Sequence, residues 1–219
     1  GSRKPLRSLV PPILKEEKGE DSAPWPKYNS KKATRLLKKA GYCFGNKAII
    51  ELTFRSNVPA DKLFALTWKE QIKRDFPNCI ELRINGMEST TIYRQLKEGT
   101  FEAVMLDWRG AYPDPEAYLT PLLSCKKIID SFCKAGESAA SGSFWASESL
   151  EKTLKDSDRI ELSKRTKKLR EVENLAVKGK PYLPIWLVTP KAWGQSNLSK
   201  PEFDGSGQLL FHRLRKLNP

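Results

Sequence analysis

FEAVMLDWRGAYPDPEAYL, residues 101–119, decides how the chain is read. Ala103-Val104-Met105-Leu106 is a nearly continuous apolar run, as in a strand covered on both faces, and the strand is expected over Phe101–Asp107. Trp108, Arg109, Gly110, Ala111 and Tyr112 then crowd ring and hydrogen-bonding groups just past its end. That is where open α/β sheets place ligands. Asp114 and Pro115 suit the cap and first turn of a helix.

Upstream, the pattern is strand, helix, strand. Ala48–Phe54 alternates, with Ile50, Leu52 and Phe54 on one face. Pro59–Phe76 carries Phe64, Trp68 and Ile72 at helical spacing, and Ile80–Ile84 alternates again. A strand returning parallel through a long helix is a βαβ crossover. A short helix over Thr90–Lys97, stopped by Gly99, leads to the opening stretch. Before all this, Ser30–Gly41 reads as a helix capped by Ser30, with Ala33, Leu36, Leu37 and Ala40 on one side. Residues 3–29 read as an extended leading segment because of their prolines, with Lys15–Asp21 charged and exposed. Gly1-Ser2 is set aside as an expression scar.

Downstream, Ala135–Ser143 is rich in Gly, Ala and Ser and looks flexible. A short helix holds Leu150 and Leu154. Asp158 and Glu161 have the spacing of a capping box for a helix running to about Lys178. Pro181–Val188 suits an edge strand because of Pro184, and Gln208–Arg213 a last strand.

Composition narrows the function. Of 219 residues, 39% are apolar and 30% charged, the balance of a folded soluble chain. No apolar run reaches the roughly 20 residues that span a bilayer. The net charge of +13 would suit a nucleic acid or an anionic surface, but the basic residues are dispersed and no nucleic-acid motif accompanies them. His212 is the only histidine, so His-based acid–base catalysis has little to work with. Asp107, Asp114 and Glu116 could serve a carboxylate-based hydrolase. Cys43, Cys79, Cys125 and Cys133 fit no zinc spacing. Cys125 and Cys133 flank a short loop and could be bridged in an oxidising compartment, or all four could be buried thiols. The sequence signals no cofactor. What remains is recognition chemistry: an indole face, an arginine fork, and a glycine that lets another group come close.

Five segments in order now resemble a known family: LVPP (9–12), SKKATRLLKKAGY (30–42), WRGAYPDPEAYL (108–119), FW (144–145) and RTKKLREVENLAVKGKPYLPIWLV (165–188). Together they are similar to the C-terminal half of the family 5 extracytoplasmic solute-binding proteins, the dipeptide, oligopeptide and nickel receptors of ABC importers. The resemblance implies an α/β, periplasmic-binding-protein-like (type II) lobe, a mixed sheet with βαβ crossovers flanked by helices, over residues 30–219. The N-terminal lobe is then missing, and the last strand region returns toward it. It implies a non-enzymatic, periplasmic or extracytoplasmic protein, membrane-anchored in some full-length forms. Its partners would be a peptide or other small solute, the missing lobe and a membrane permease, with no nucleic acid.

The resemblance places Trp108 in the ligand pocket and Ala111 at the position that meets a peptide amine. The chemistry of the strand-end loop adds Arg109, Gly110 and Tyr112 as ligand contacts, with Arg55 at another strand end as a further candidate. Peptide binders carry an aspartate for the peptide α-amine where this chain has Ala111. Dipeptide binders carry a disulfide near Cys125, whose partner does not coincide well with Cys133.

Overall fold

The computed structural model describes residues 3–15 and 25–217. Gly1-Ser2, Pro24 and most of the charged 15–21 stretch lie outside the described residues. In chain order the elements are β1 (Arg3–Pro5), α1 (Ser30–Lys39), β2 (Ala48–Arg55), α2 (Pro59–Asp75), β3 (Ile80–Met87), α3 (Ser89–Gln95) and β4 (Ala103–Val104). They continue with α4 (Glu116–Leu123), β5 (Lys127–Ile129), β6 (Phe132–Ala135), α5 (Glu137–Ala140), α6 (Glu148–Ser157), α7 (Leu162–Gly179) and β7 (Trp186–Val188). The architecture is α/β, with parallel and antiparallel strands divided among separate sheets. No described helix is long and apolar enough to cross a membrane. Two units partition the chain: Lys27–Asp107, and the two segments Gly1–Pro26 and Trp108–Pro219.

The Lys27–Asp107 unit is the expected crossover. Its sheet has the order β3-β2-β4, all parallel, with β2 and β3 in register from Ala48–Ile80 to Arg55–Met87. Phe54 faces Gly86 in that register; a Cβ on Gly86 would come within 3.0 Å of the Phe54 ring, so the glycine makes room for it. α2 packs on β2 and β3 and buries Ala65 and Ile72. The last strand is much shorter than expected. β4 pairs only through Ala103 and Val104, and Met105 adds one bond to the Thr53 carbonyl. An apolar run signals burial, and Met105 is buried, but it does not guarantee a partner strand along its whole length.

The cap of α1 is Asn29 rather than Ser30: its Oδ1 accepts the Lys32 amide at 2.8 Å, a device contributing about 1 kcal/mol. α3 starts the same way, at Glu88, and continues as a 3-10 turn to Gly99. A Cys43–Cys79 disulfide, which no spacing rule singled out, joins the loop after α1 to the foot of β3.

In the second unit, β1 pairs antiparallel with β7. Its core gathers Val10, Trp25, Leu119, Leu123, Leu150 and Val172, from the leading segment and from α4, α6 and α7. Glu173 on α7, buried to 2% exposure, accepts Ser8 Oγ and the Leu9 and Val10 amides, and pairs with Lys15 Nζ at 2.8 Å. The leading segment is therefore stitched down, and Trp25 donates to the Tyr182 carbonyl. Ala135–Ser143 is ordered rather than loose. Gly136, at φ 141°, lets β6 turn into α5 where a Cβ would lie 2.8 Å from the Cys125 Cα, and Ser138 is fully buried.

Asp158 is not the cap of α7; it closes α6 in a helical conformation, and Glu161 precedes α7 without a side-chain cap bond. β7 keeps only three residues of the expected 181–188 strand. Residues 208–213 form no strand: Leu209 makes a single bridge to Phe203, and 211–213 curl into a 3-10 turn.

Candidate functional site

Trp108–Tyr112 begins the Trp108–Pro219 segment of the second unit and runs into α4. The helix starts one residue later than expected, with Pro115 in the cap position and no side-chain cap bond; Asp114, just before it, still accepts the Glu116 amide through Oδ1 at 2.7 Å. Arg165 of α7 then holds both acids of this turn, Asp114 at 2.7 Å and Glu116 beside it. Burial works against the Arg165 charge, but these carboxylates outweigh it and raise its pKa. A carboxylate pair so engaged is a structural clamp on the loop.

Within the loop, Gly110 is buried and its neighbours are exposed. A Cβ at Gly110 would stand 2.5 Å from Tyr118 Cε2 and 3.2 Å from Ala117 Cβ, so the backbone presses directly on α4. Trp108 anchors one edge of its ring, Nε1 donating to the Ala117 carbonyl at 2.9 Å, while 46% of the residue stays exposed. Tyr112 is 47% exposed, its phenol raised in pKa by partial burial and by Glu116 and Asp114. Arg109 and Ala111 are exposed. The arrangement offers open ring surface and an arginine on a backbone that is fixed from below, and it carries no carboxylate at Ala111.

One supporting wall was not foreseen. Gln208 Nε2 donates to the Ala111 carbonyl at 3.2 Å, and a Cβ on Gly205 would lie 3.0 Å from Pro113 Cβ. Asp204 Oδ1 organises this turn by accepting from Ser206 Oγ and the Ser206 and Gln208 amides. The Asp204-Gly205-Ser206-Gly207 run is a turn signal in the sequence, though nothing local points it at residue 111.

Arg55 belongs to the other unit. It is 8% exposed, donates through Nε to Asp61 at 2.7 Å, and bonds Asp107 through Nη1. Tyr93 also donates to Asp107, at 2.8 Å. Burial disfavours the Arg55 charge; the two carboxylates more than offset it and raise the pKa. Cys125 and Cys133 are bridged, and no described cysteine is free. Among the described residues no group of three or more His, Cys, Asp or Glu could hold a metal.

Known proteins share this plan. Residues 1–130, more than half the chain, match the family model of the bacterial extracellular solute-binding proteins, family 5 Middle. Di/tripeptide-binding protein 1 of Pseudomonas aeruginosa is 26% identical over 163 residues, 72% of this chain and 28% of that protein. The chain thus spans little more than a quarter of the length of that curated relative. A dipeptide-binding protein from a Pseudoalteromonas species, solved in complex with Met-Leu, superposes with a TM-score of 0.73 at 19% identity, covering 98% of this chain and 40% of that one. Haemophilus influenzae OppA, solved with the peptide RPPGFSPFR, gives 0.70 at 16% identity over 99% of this chain and 41% of the other. These structures bear out the type II binding-protein fold. The family is one of non-enzymatic solute binders, and the relatives lend no support to the hydrolase or nucleic-acid readings. The chain belongs to the bacterial extracellular solute-binding proteins of family 5.

Proposed function

We propose that this chain is the C-terminal lobe of a receptor that delivers short peptides to an ABC importer. The ring-bearing loop at Trp108–Tyr112 is its half of the ligand contact, and a lobe outside this chain supplies the other half. The observation that carries the reading is the exposed Trp108 ring on a clamped backbone, in a chain with a di/tripeptide-binding relative. Arg55 stays outside the contacts: its guanidinium is buried and engaged by Asp61 and Asp107. Two disulfides suit an oxidising, extracytoplasmic setting, and a membrane anchor would belong to the full-length protein. Closure of the lobes around solute would select the form that docks on the permease.

Ala111 shapes what is bound. A peptide ammonium finds no carboxylate there, so the α-amine must be held by other groups, and the binding energy at this loop comes from side-chain contact with the rings. Calorimetry on the full-length protein tests this with trialanine and its N-acetyl derivative. Binding of both, weakened about tenfold or more by Trp108→Ala, is expected. Absence of heat with any short peptide sinks the peptide reading, and unchanged affinity in the variant removes the loop from the site.

A further inference from the structure

α4 carries a proline, Pro121, inside it, and the carbonyl four residues before that proline, Ala117, is the one that accepts Trp108 Nε1. In an α-helix the Ala117 carbonyl should accept the amide of residue 121. Proline has no amide hydrogen, and its ring crowds the carbonyl four residues back. Ala117 is buried, at 2% exposure, so its oxygen has no ready access to water and needs another donor. Trp108 Nε1 fills that place at 2.9 Å.

We propose that Pro121 is a positioning residue for the Trp108 ring, and that Trp108 therefore meets solute as an apolar face without a donor. The indole has a single donor, and the Ala117 carbonyl takes it. The part of the solute lying on Trp108 is then an aliphatic or planar group, and a hydrogen-bond acceptor gains nothing there. Gly110 completes the seat, with Tyr118 and Ala117 directly against its backbone two residues after the ring. The choice of solute group rests on the loop being the ligand contact; the positioning does not.

The test uses the full chain without ligand, so its outcome is independent of whether the loop binds peptides. Nitrogen-15 spectra resolve the indole groups, and Trp108→Phe identifies the Trp108 signal by its loss. In the unmutated chain the Trp108 indole hydrogen should exchange with solvent more slowly than that of Trp193, which is 89% exposed and makes a reference. Pro121→Ala restores an amide that competes for the Ala117 carbonyl; alanine suits a helix interior, so the variant is expected to fold. In it the Trp108 signal alone should move, and its exchange should quicken about twofold to tenfold, the range that one ordinary hydrogen bond commands. A general loss of packing would shift the other indoles as well. Equal exchange of Trp108 and Trp193 in the unmutated chain overturns the anchor. An unmoved Trp108 signal in Pro121→Ala overturns the role of the proline. Should Pro121→Ala fail to fold, the comparison within the unmutated chain and Pro121→Ser decide by the same criteria.

Discussion

Asp107 and Trp108 are neighbours in sequence, yet Asp107 ends one unit and Trp108 begins the later segment of the other, and their surroundings are built on opposite rules. The strand-end cluster of Arg55, Asp61, Tyr93 and Asp107 spends its polar groups on itself. The loop beginning at Trp108 spends one edge of a ring on its own helix and leaves the rest open. A charged residue at a strand end therefore says little about ligand contact until its partners are known. A ring is informative when its polar atom is committed and its surface is not.

The comparison can be broken most sharply at Asp61. It is buried to 1% exposure, and Asp61→Ala leaves Arg55 with one partner that is largely in solvent. The expected loss is about 3 kcal/mol or more in urea unfolding, as for other buried pairs robbed of a member. A loss below about 1 kcal/mol would mean that Arg55 is not a structural ion pair. Next comes Gly110→Ala, which forces a methyl against Tyr118 and should cost about 1–3 kcal/mol by the same measurement. An unaffected midpoint would show that the loop is not pressed on α4. Trp108→Phe keeps a ring and removes the anchor; about 1 kcal/mol is expected, read as a shifted denaturation midpoint.

The smallest effect lies at Asp75, an exposed ion pair that contrasts with the Arg55 cluster. Hydrogen bonds from Arg74 first and Tyr28 second hold its carboxyl down to about 2. The folded pKa is depressed, so the contribution is present above the unfolded value near 3.8 and fades as pH falls toward 2. Carbon-13 titration of the Asp75 carboxyl should show that midpoint, and Tyr28→Phe should raise it. A midpoint near 4 in the parent chain would dismiss both bonds.

Periodicity made much of this fold legible. The alternation in Ala48–Phe54 and Ile80–Ile84 and the stripe in Pro59–Phe76 report burial directly, and the parallel crossover follows from them. The shortened β4 was not legible, because hydrophobicity records what is covered and says nothing about which backbone groups find a partner. The Cys43–Cys79 bridge depends on α2 bringing its far end back beneath β2, a tertiary fact with no local spacing. Arg55 shows a signal that was present and unread. Asp61 sits six residues on, in the first turn of α2, where a carboxylate can reach back to the strand end. At the loop, the ring-rich composition was readable, and so was the proline in α4. Their connection through the Ala117 carbonyl needed coordinates.

Glu173 has a kinetic side. The donors it gathers, Ser8, Leu9, Val10 and Lys15, lie 158 to 165 residues away along the chain, with the whole Lys27–Asp107 unit threaded between. Loop closure over that distance is slow, whereas the inserted unit makes its parallel pairings over much shorter spans. Refolding should therefore proceed from the inside outward. Pulsed hydrogen exchange is expected to protect β2 and β3 amides before those of Leu9 and Val10, and the reverse order would assign the nucleus to the outer unit.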